Sequence, residues 1–405
     1  MILDQSDTRR RILVVGDAGV PTGFARVIEG IFRPLSEKYE IHHLGTNYQG
    51  DPHDYPWKVY RASSHGDMWG ANRIVSLVEH ARPDVIFILN DIWIVCQYLV
   101  ALAALESHPP VVVYCPIDGG PIEIEAIAPL SRVARFVAYT TFGKTQIEAA
   151  VAAQREIDPE FKFAEIEIIP HGVDTDLFRR LGEPVAARRE ARQRILPHLT
   201  NPDDHFIVLN ANRNQPRKRI DITLRGFALF AADKPETVQL YLHMGSEDMG
   251  WNVLQLARRY GIQGRVIMSS LNRHLPTVPS EQMNLIYNAC EVGVNTSAAE
   301  GWGLVSFEHA AAGGAQIVPR HSACAELWEG SAVLVEPVMD LVFEKTLTTG
   351  WLVTPEAVAA ALEELYQNPQ TLEMMSEKAY ELAHRPEYRW EAIAVRWDQL
   401  FRQLL

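Results

Sequence analysis

Two carboxylates, Glu300 and Glu308, flank a helix start in the stretch VGVNTSAAEGWGLVSFEHAAAGGAQIVP, residues 292–319. A carboxylate accepts several hydrogen bonds, which suits the hydroxyls of a sugar. A helix start exposes free backbone N–H groups at its positive dipole end, which suits a phosphate. The order of residue types predicts strand, loop, helix and strand. Residues 292–295 are a short apolar run, and 297–303 are small and polar, with Gly301 and Gly303 on either side of Trp302. Residues 304–312 are helix formers, closed by Gly313 and Gly314, and 316–318 resume a strand. Such a unit could hold a phosphate flanked by hydroxyl-rich groups. The plainer alternative is an ordinary strand–loop–helix unit with surface glutamates.

Three further clusters carry chemistry. Arg213 and Lys218 stand five apart in NANRNQPRKR, across a proline-bearing turn. Two fixed cations there could clamp a departing diphosphate, the arginine by paired bonds and the lysine as a point charge. The alternative is a solvated basic turn. GDAGVPTG, residues 16–23, follows a first strand and opens a helix, but its glycines do not have the GxGxxG spacing of a dinucleotide loop. Asp118 follows a strand in PIDGG and could meet sugar hydroxyls or a reacting centre, or simply form a turn. Asp174 and Asp176 have the spacing of a metal–diphosphate pair, but they lie in a segment heading into a linker, so they are not assigned to a metal. The histidines of residues 42–65 lack paired ligand spacing on a helix.

The elements that must position these groups alternate strand and helix along the chain. Strands are expected at 11–15, 41–44, 85–89, 111–114, 134–139 and 166–169, with helices at 24–39, 74–81 and 92–105. The charged segment 179–204 reads as a linker with the opening helix of a second domain. Strands follow at 206–210, 238–244, 266–269, 292–295, 316–318 and 334–335, with helices between them. Helices at 355–367, 371–384 and 388–405 close the chain. This alternation predicts an α/β protein of two doubly wound parallel-sheet domains. Ligands of such sheets lie at the carboxyl ends of strands, and the natural site of a two-domain chain is the cleft between them.

A chain of 405 residues is long enough for two full cores. Its net charge of −13 argues against a nucleic-acid partner. No apolar run reaches membrane-spanning length, and the polar start is not that of a secretory leader. Four scattered cysteines without a CxxC read as free thiols, so a cytoplasmic location is expected.

Taken in order, the motifs resemble those of glycosyltransferase family 4, a retaining group with the GT-B fold. Glu300 and Glu308 match its E-x7-E spacing, and Arg213 and Lys218 its Arg-x4-Lys pair. IPHGVD, residues 169–174, resembles its IPNGVD segment, with His171 in place of asparagine. GWLV at 350–353 and RWEAI at 389–393 resemble its C-terminal pattern. The resemblance implies an enzyme that moves a sugar from a nucleoside diphosphate sugar to a hydroxyl on a glycan, lipid or small molecule. It implies no metal and no other cofactor. Residues 1–195, with 385–405 packing back, would be an acceptor domain, and 196–384 a donor domain. Arg213 and Lys218 would hold the diphosphate, with Gly23 approaching it from the first domain. Glu308 would bind the ribose and Glu300 the transferred sugar. The backbone of Gly301, Trp302, Gly303, Leu304 and Val305 would meet sugar hydroxyls and phosphate. The nucleobase would sit near Leu271 and Asn272. Two departures stand out. Asp118 lies where many members carry histidine, and Thr22-Gly23 replaces the usual Gly-Gly.

The acceptor is expected on a single long loop, residues 46–70, through Tyr48, Trp57, His65, Asp67 and Trp69. Aromatic faces stack on sugars and polar groups bond their hydroxyls. Trp390 and Trp397, seven apart on the closing helix, are read as packing groups rather than a membrane anchor, which still leaves peripheral membrane contact open. Two other classes compete: a catalytically silent binder of nucleotide sugars or carbohydrates, and a nicotinamide-dependent oxidoreductase, against which the missing GxGxxG counts. Residue identity leaves the nucleotide, the sugar and the acceptor undetermined.

Overall fold

The structure, a computed structural model, describes residues 9–64, 66–274 and 276–405. The chain divides into two compact units. One runs to Gly172 and includes 346–348 and Trp390–Leu405; the other comprises Val173–Lys345 and Thr349–Arg389.

The first unit opens with β1 (Arg11–Asp17), α1 (Gly23–Leu35), β2 (Glu40–Thr46), β3 (Lys58–Arg61) and α2 (Ala71–Ala81). It continues with β4 (Val85–Leu89), α3 (Ile92–Leu102), β5 (Val111–Cys115) and α4 (Ile124–Leu130). β6 (Arg135–Ala138), α5 (Thr141–Ile157) and β7 (Ile166–Ile168) complete its sheet. The seven strands are all parallel, in the order β3-β2-β1-β4-β5-β6-β7. β4 and β5 are buried at every residue, as strands covered on both faces must be, and their sequences VIFIL and VVVYC are accordingly almost wholly apolar. Two of its helix starts carry hydroxyl caps. Thr22 accepts from the N–H of Ala25, and Thr140 from that of Gly143.

The second unit begins with α6 (Pro184–Ile195), β8 (Phe206–Asn210), α7 (Ile220–Ala231), β9 (Val238–Leu242) and α8 (Val253–Arg259). β10 (Val266–Met268), α9 (Ser280–Ala289), β11 (Val292–Val294), α10 (Leu304–Ala311) and β12 (Ala315–Pro319) follow. The chain goes on through α11 (Ser322–Trp328), β13 (Val333–Val335) and the hairpin of β14 (Met339–Val342) and β15 (Thr349–Leu352). α12 (Pro355–Gln367) and α13 (Pro369–Ala383) end this unit. Its six strands, again parallel, run β10-β9-β8-β11-β12-β13. Strand order therefore reverses between β8 and β11, which places a topological switch point at their carboxyl ends.

The closing helix, α14 (Trp390–Leu404), belongs to the first unit. Trp397 is fully buried there, with its ring 5.0 Å from Phe87 and 4.9 Å from Tyr114. Asp398 accepts from Lys38 Nζ at 3.0 Å and the Tyr39 hydroxyl at 2.8 Å. Gly30 of α1 and Gly172 both face the Trp390 ring so closely that a Cβ on either would clash with it. The paired tryptophans are thus packing groups, as their spacing suggested.

Two expectations need correction. Residues 46–70 are not one loop: β3 lies within them and pairs with β2 as an edge strand, its short half-exposed sequence too weakly patterned to read. Residues 173–195 group with the second unit rather than the first, because α6 packs on α9. The helices α4, α5 and α11 and the β14–β15 hairpin were not legible as regular elements. Among the described residues, no helix is long and apolar enough to cross a membrane.

Removing the Trp397 ring empties a large, fully enclosed site, so Trp397→Ala should cost roughly 3–5 kcal/mol of stability. A urea titration followed by circular dichroism checks this; an unchanged midpoint would show that α14 contributes little to the first unit.

Candidate active site

At the switch point of the second unit, two loops are stitched together by polar contacts. One follows β8 and the other follows β11. The Thr223 and Thr296 hydroxyls share a bond of 2.7 Å, and the Thr296 hydroxyl also reaches the Arg219 carbonyl at 2.9 Å. Asn210 Nδ2 donates to Thr223 at 2.9 Å, and the N–H of Ala298 donates to the Arg217 carbonyl at 2.8 Å. A tight 3₁₀ turn, Pro216–Lys218, then brings the lysine inward, and Arg219 takes a left-handed conformation with φ of 49° to lead into α7.

The result is a buried ion pair. Lys218 Nζ donates to Glu300 Oε2 at 2.5 Å, and both residues are less than a tenth exposed. Asn295 Nδ2 approaches the same oxygen at 3.4 Å, and Arg217 stands 3.9 Å away while donating to the Ala299 carbonyl. Burial opposes ionisation of Glu300, but the charges of Lys218 and Arg217 outweigh it and hold the carboxyl at about 2. The main chain of Glu300 is clamped as well. Its N–H donates to Ser322 Oγ at 3.2 Å, and its carbonyl accepts from the N–H of Ala323.

Gly303, with φ of 93°, makes the sharp turn that opens α10, a conformation that costs glycine little. Glu308, on the second turn of α10, is buried and accepts from the Tyr287 hydroxyl of α9 at 2.6 Å. Tyr287 is itself stacked on His309, with ring centroids 5.6 Å apart. Leu304 and Val305 are half-buried at the helix start. A small cavity under this turn is lined by Ala211, Asn212, Gly293, Val305, Ser306 and His309. The Trp302 side chain is a core group, stacked on Phe307 at 5.1 Å, so only its backbone can serve a ligand.

Arg213 lies partly exposed beside this site. Asp248 holds its Nε at 2.7 Å and its Nη2 at 3.3 Å, which fixes the plane of the guanidinium. Leu271 and Asn272 are exposed on the loop after β10, which is tied to the 245–251 loop by the Ser246 N–H donating to the Asn272 carbonyl. Arg213, Lys218, Glu300 and Glu308 thus all lie in the second unit at the β8, β11 and α10 junction. Asp248, Arg217, Tyr287, Asn295 and Ser322 were missed, since nothing in their local sequence marks them.

In the first unit, Gly23 is exposed at the first turn of α1. Its neighbour Thr22 donates to Asp17 Oδ2 at 2.7 Å, and Thr46 and Asn47 donate to Oδ1. Asp118 lies in the turn after β5. The expected acceptor contacts have internal duties. Tyr48 is buried and donates to the Asp51 carbonyl; Trp57 is buried and stacked on Tyr55 at 5.1 Å. Asp67 accepts from the N–H groups of Trp69, Gly70 and Asn72 and so secures the start of α2. Trp69 meets Trp93 edge-on, and its carbonyl accepts from Tyr98. His65 lies outside the described residues. Asp174 accepts from the N–H groups of Asp176 and Leu177, a turn contact that accounts for it without a metal.

Comparison with known proteins supports the fold. Two doubly wound parallel-sheet units, with a last helix returning to the first, define the GT-B class. Sucrose-phosphate synthase from Thermosynechococcus elongatus superimposes with a TM-score of 0.74 at 17% identity, covering 98% of this chain and 99% of that one. Anabaena HepE in complex with UDP and glucose gives a TM-score of 0.70 at 16% identity, covering 98% and 100%. Residues 191–382 match the profile of the family described as glycosyl transferases group 1. D-inositol 3-phosphate glycosyltransferase of Streptomyces scabiei is 28% identical over 256 residues, 61% of this chain and 49% of that protein. Its Streptomyces avermitilis counterpart is 32% identical over 160 residues, 38% and 32% of the two chains. The chain spans about half the length or less of the curated relatives it matches.

The ion pair carries a pH signature. Glu300 titrates near 2 in the folded protein against an ordinary 4.5, so its contribution to stability is present above 4.5 and is lost as pH falls toward 2. Glu300→Gln should melt below the parent at pH 7, because it strands the Lys218 ammonium. The gap should narrow between pH 4.5 and 2, and thermal melts of both proteins across that range test it. A gap that stays constant would remove the ion pair from the account.

Proposed function

We propose that this protein is a retaining glycosyltransferase that moves a sugar from a nucleoside diphosphate sugar to a hydroxyl acceptor without a metal. The observation that carries this reading is the buried Lys218–Glu300 pair at the switch point, with Glu308 on the second turn of the helix that follows it. Support comes from the match of residues 191–382 to the group 1 glycosyl transferase profile, and from the HepE structures, described as complexes with UDP and glucose and with UDP-glucose. A uridine diphosphate sugar is therefore the first donor to test.

In this reading, Glu308 accepts from the ribose hydroxyls and the Tyr287 bond fixes its carboxylate. Arg213 and Lys218 neutralise the charge that grows on the diphosphate as the C1–O bond breaks. Lys218 has three donors, so it can meet a phosphate oxygen while it still holds Glu300. Glu300, kept ionised, accepts from hydroxyls of the transferred sugar and stabilises an oxocarbenium-like centre. The backbone N–H groups from Gly301 to Val305 meet sugar and phosphate. The acceptor oxygen then bonds C1 on the face that the diphosphate leaves, and its proton passes to the leaving phosphate. The exposed loop at Leu271 and Asn272 takes the nucleobase. The first unit presents the acceptor, with Asp118 and the Gly23 turn among its groups.

Lys218→Ala and Glu308→Ala should each lower kcat/KM for the donor by roughly a hundredfold or more, of the order seen when one preorganised charge-stabilising contact is lost. EDTA should leave turnover unchanged. Near-parental kinetics in both variants would refute the assignment, and activity lost to EDTA and restored by Mg²⁺ would refute the metal-free step.

A further inference from the structure

Ser322 holds a conformation that its residue type disfavours. It is the first residue of α11, yet its φ is 46°, in the left-handed region where a side chain is crowded and glycine is at ease. A serine at a helix start ordinarily turns its hydroxyl onto the free N–H groups of its own helix. Here the hydroxyl serves another segment. Its Oγ accepts from the N–H of Glu300 at 3.2 Å, 22 positions earlier in the chain. Backbone strain of this kind persists where surrounding contacts over-determine it, and it gathers at working sites.

His321 aims that hydroxyl. Its Nδ1 stands 3.1 Å from Ser322 Oγ, and its ring rests against Trp351 of β15, with centroids 5.5 Å apart. Burial pulls the imidazole down to about 4, against the opposing pull of the Ser297 backbone and the Glu300 carboxylate, so the ring is neutral at pH 7. A neutral imidazole has one bare nitrogen. Having accepted from Glu300, the serine has its own proton to donate to Nδ1, and the two bonds together fix the hydroxyl. Trp351 is placed in turn. Its N–H donates to the Ala298 carbonyl at 2.7 Å, and Gly350 comes so near that carbonyl that a Cβ would stand 2.7 Å from it.

These bonds converge on residues 295–303, which belong to no helix or strand. Lys218 takes the Glu300 carboxylate, yet in the reading above the same ammonium also meets a phosphate oxygen. A carboxylate held only by that lysine would follow it. Ser322 and Ala323 hold the Glu300 N–H and carbonyl from a single helix start, so the main chain stays in place when the ammonium shifts. Misplacing a reacting group by about 1 Å can cost about a hundredfold in rate.

We propose that Ser322, held in the left-handed region and oriented by His321, is a positioning residue that sets where the Glu300 carboxylate stands against the transferred sugar. This rests on the transferase reading above, which gives Glu300 its role, and adds the device that aims it.

The test uses the full chain and whichever member of a panel of UDP, GDP and ADP sugars the parent protein hydrolyses or transfers. Ser322→Gly removes the hydroxyl and suits the left-handed backbone, which guards against a folding failure. Its kcat should fall roughly tenfold or more, while the matching nucleoside diphosphate, which carries no sugar, binds by calorimetry as tightly as to the parent. His321→Phe, a ring without nitrogens, should lower kcat in the same sense. His321→Asn, whose Oδ1 can accept from the serine, should restore most of it. Coupling separates positioning from mere support. On a Glu300→Gln background, Ser322→Gly should change kcat by less than about twofold, since a residue that acts only through Glu300 has nothing left to position. Parental kcat in Ser322→Gly overturns the proposal. So does a loss that multiplies in full on the Glu300→Gln background, or one matched by an equal loss of nucleotide binding. If the parent turns over no member of the panel, the transferase reading fails instead. Hydrogen exchange then decides the clamp: the Glu300 amide should exchange about tenfold faster or more in Ser322→Gly, and unchanged exchange overturns it.

Discussion

The bond between Lys218 and Glu300 sets the terms for the rest of the second unit. Removing a carboxylate and an ammonium from water costs several kcal/mol for each ion, which attraction repays only with good geometry and further hydrogen bonds. The surrounding elements supply both. The 3₁₀ turn aims the lysine, Asn295 and Arg217 stand beside the carboxylate, and Ser322 and Ala323 hold its main chain. Hydrophobic groups of similar volume could fill the same space at lower cost. The charges are better understood through the chemistry proposed for them than through stability.

Position in the fold explains why this pair can meet a ligand. The crossovers of the second sheet run away from the gap between β8 and β11 on either side, so the loops after those strands diverge and leave their polar ends unobstructed. α10 then points its start into the same region, carrying Glu308 on its second turn. Tyr287 reaches that carboxylate from α9, and Asp248 orients Arg213 from the loop after β9. Each proposed ligand contact is held by a second residue from a different element.

Much of this was legible in the chain because it is local. Alternating apolar strands and helices disclosed two parallel sheets, since a strand buried on both faces must be apolar throughout, as in VIFIL. Glu300 and Glu308 were legible through their spacing, and Arg213 and Lys218 through theirs. The segment 46–70 misled because its aromatic and polar residues have the composition of a binding loop. Stacking Tyr55 on Trp57, burying Tyr48 and securing α2 with Asp67 call for the same residue types. β3 escaped notice because an edge strand of four half-exposed residues has almost no pattern.

By itself the sequence determined the fold class, the family resemblance and the main charged groups, because these follow from periodicity and short-range spacing. Tertiary structure alone decided which carboxylate each cation pairs with. Glu300, 82 positions from Lys218, takes the lysine, whereas Arg213, only five residues before that lysine, is taken by Asp248. These pairings are long-range facts. Hydrogen bonds and fields act through space, and separation along the chain does not report them.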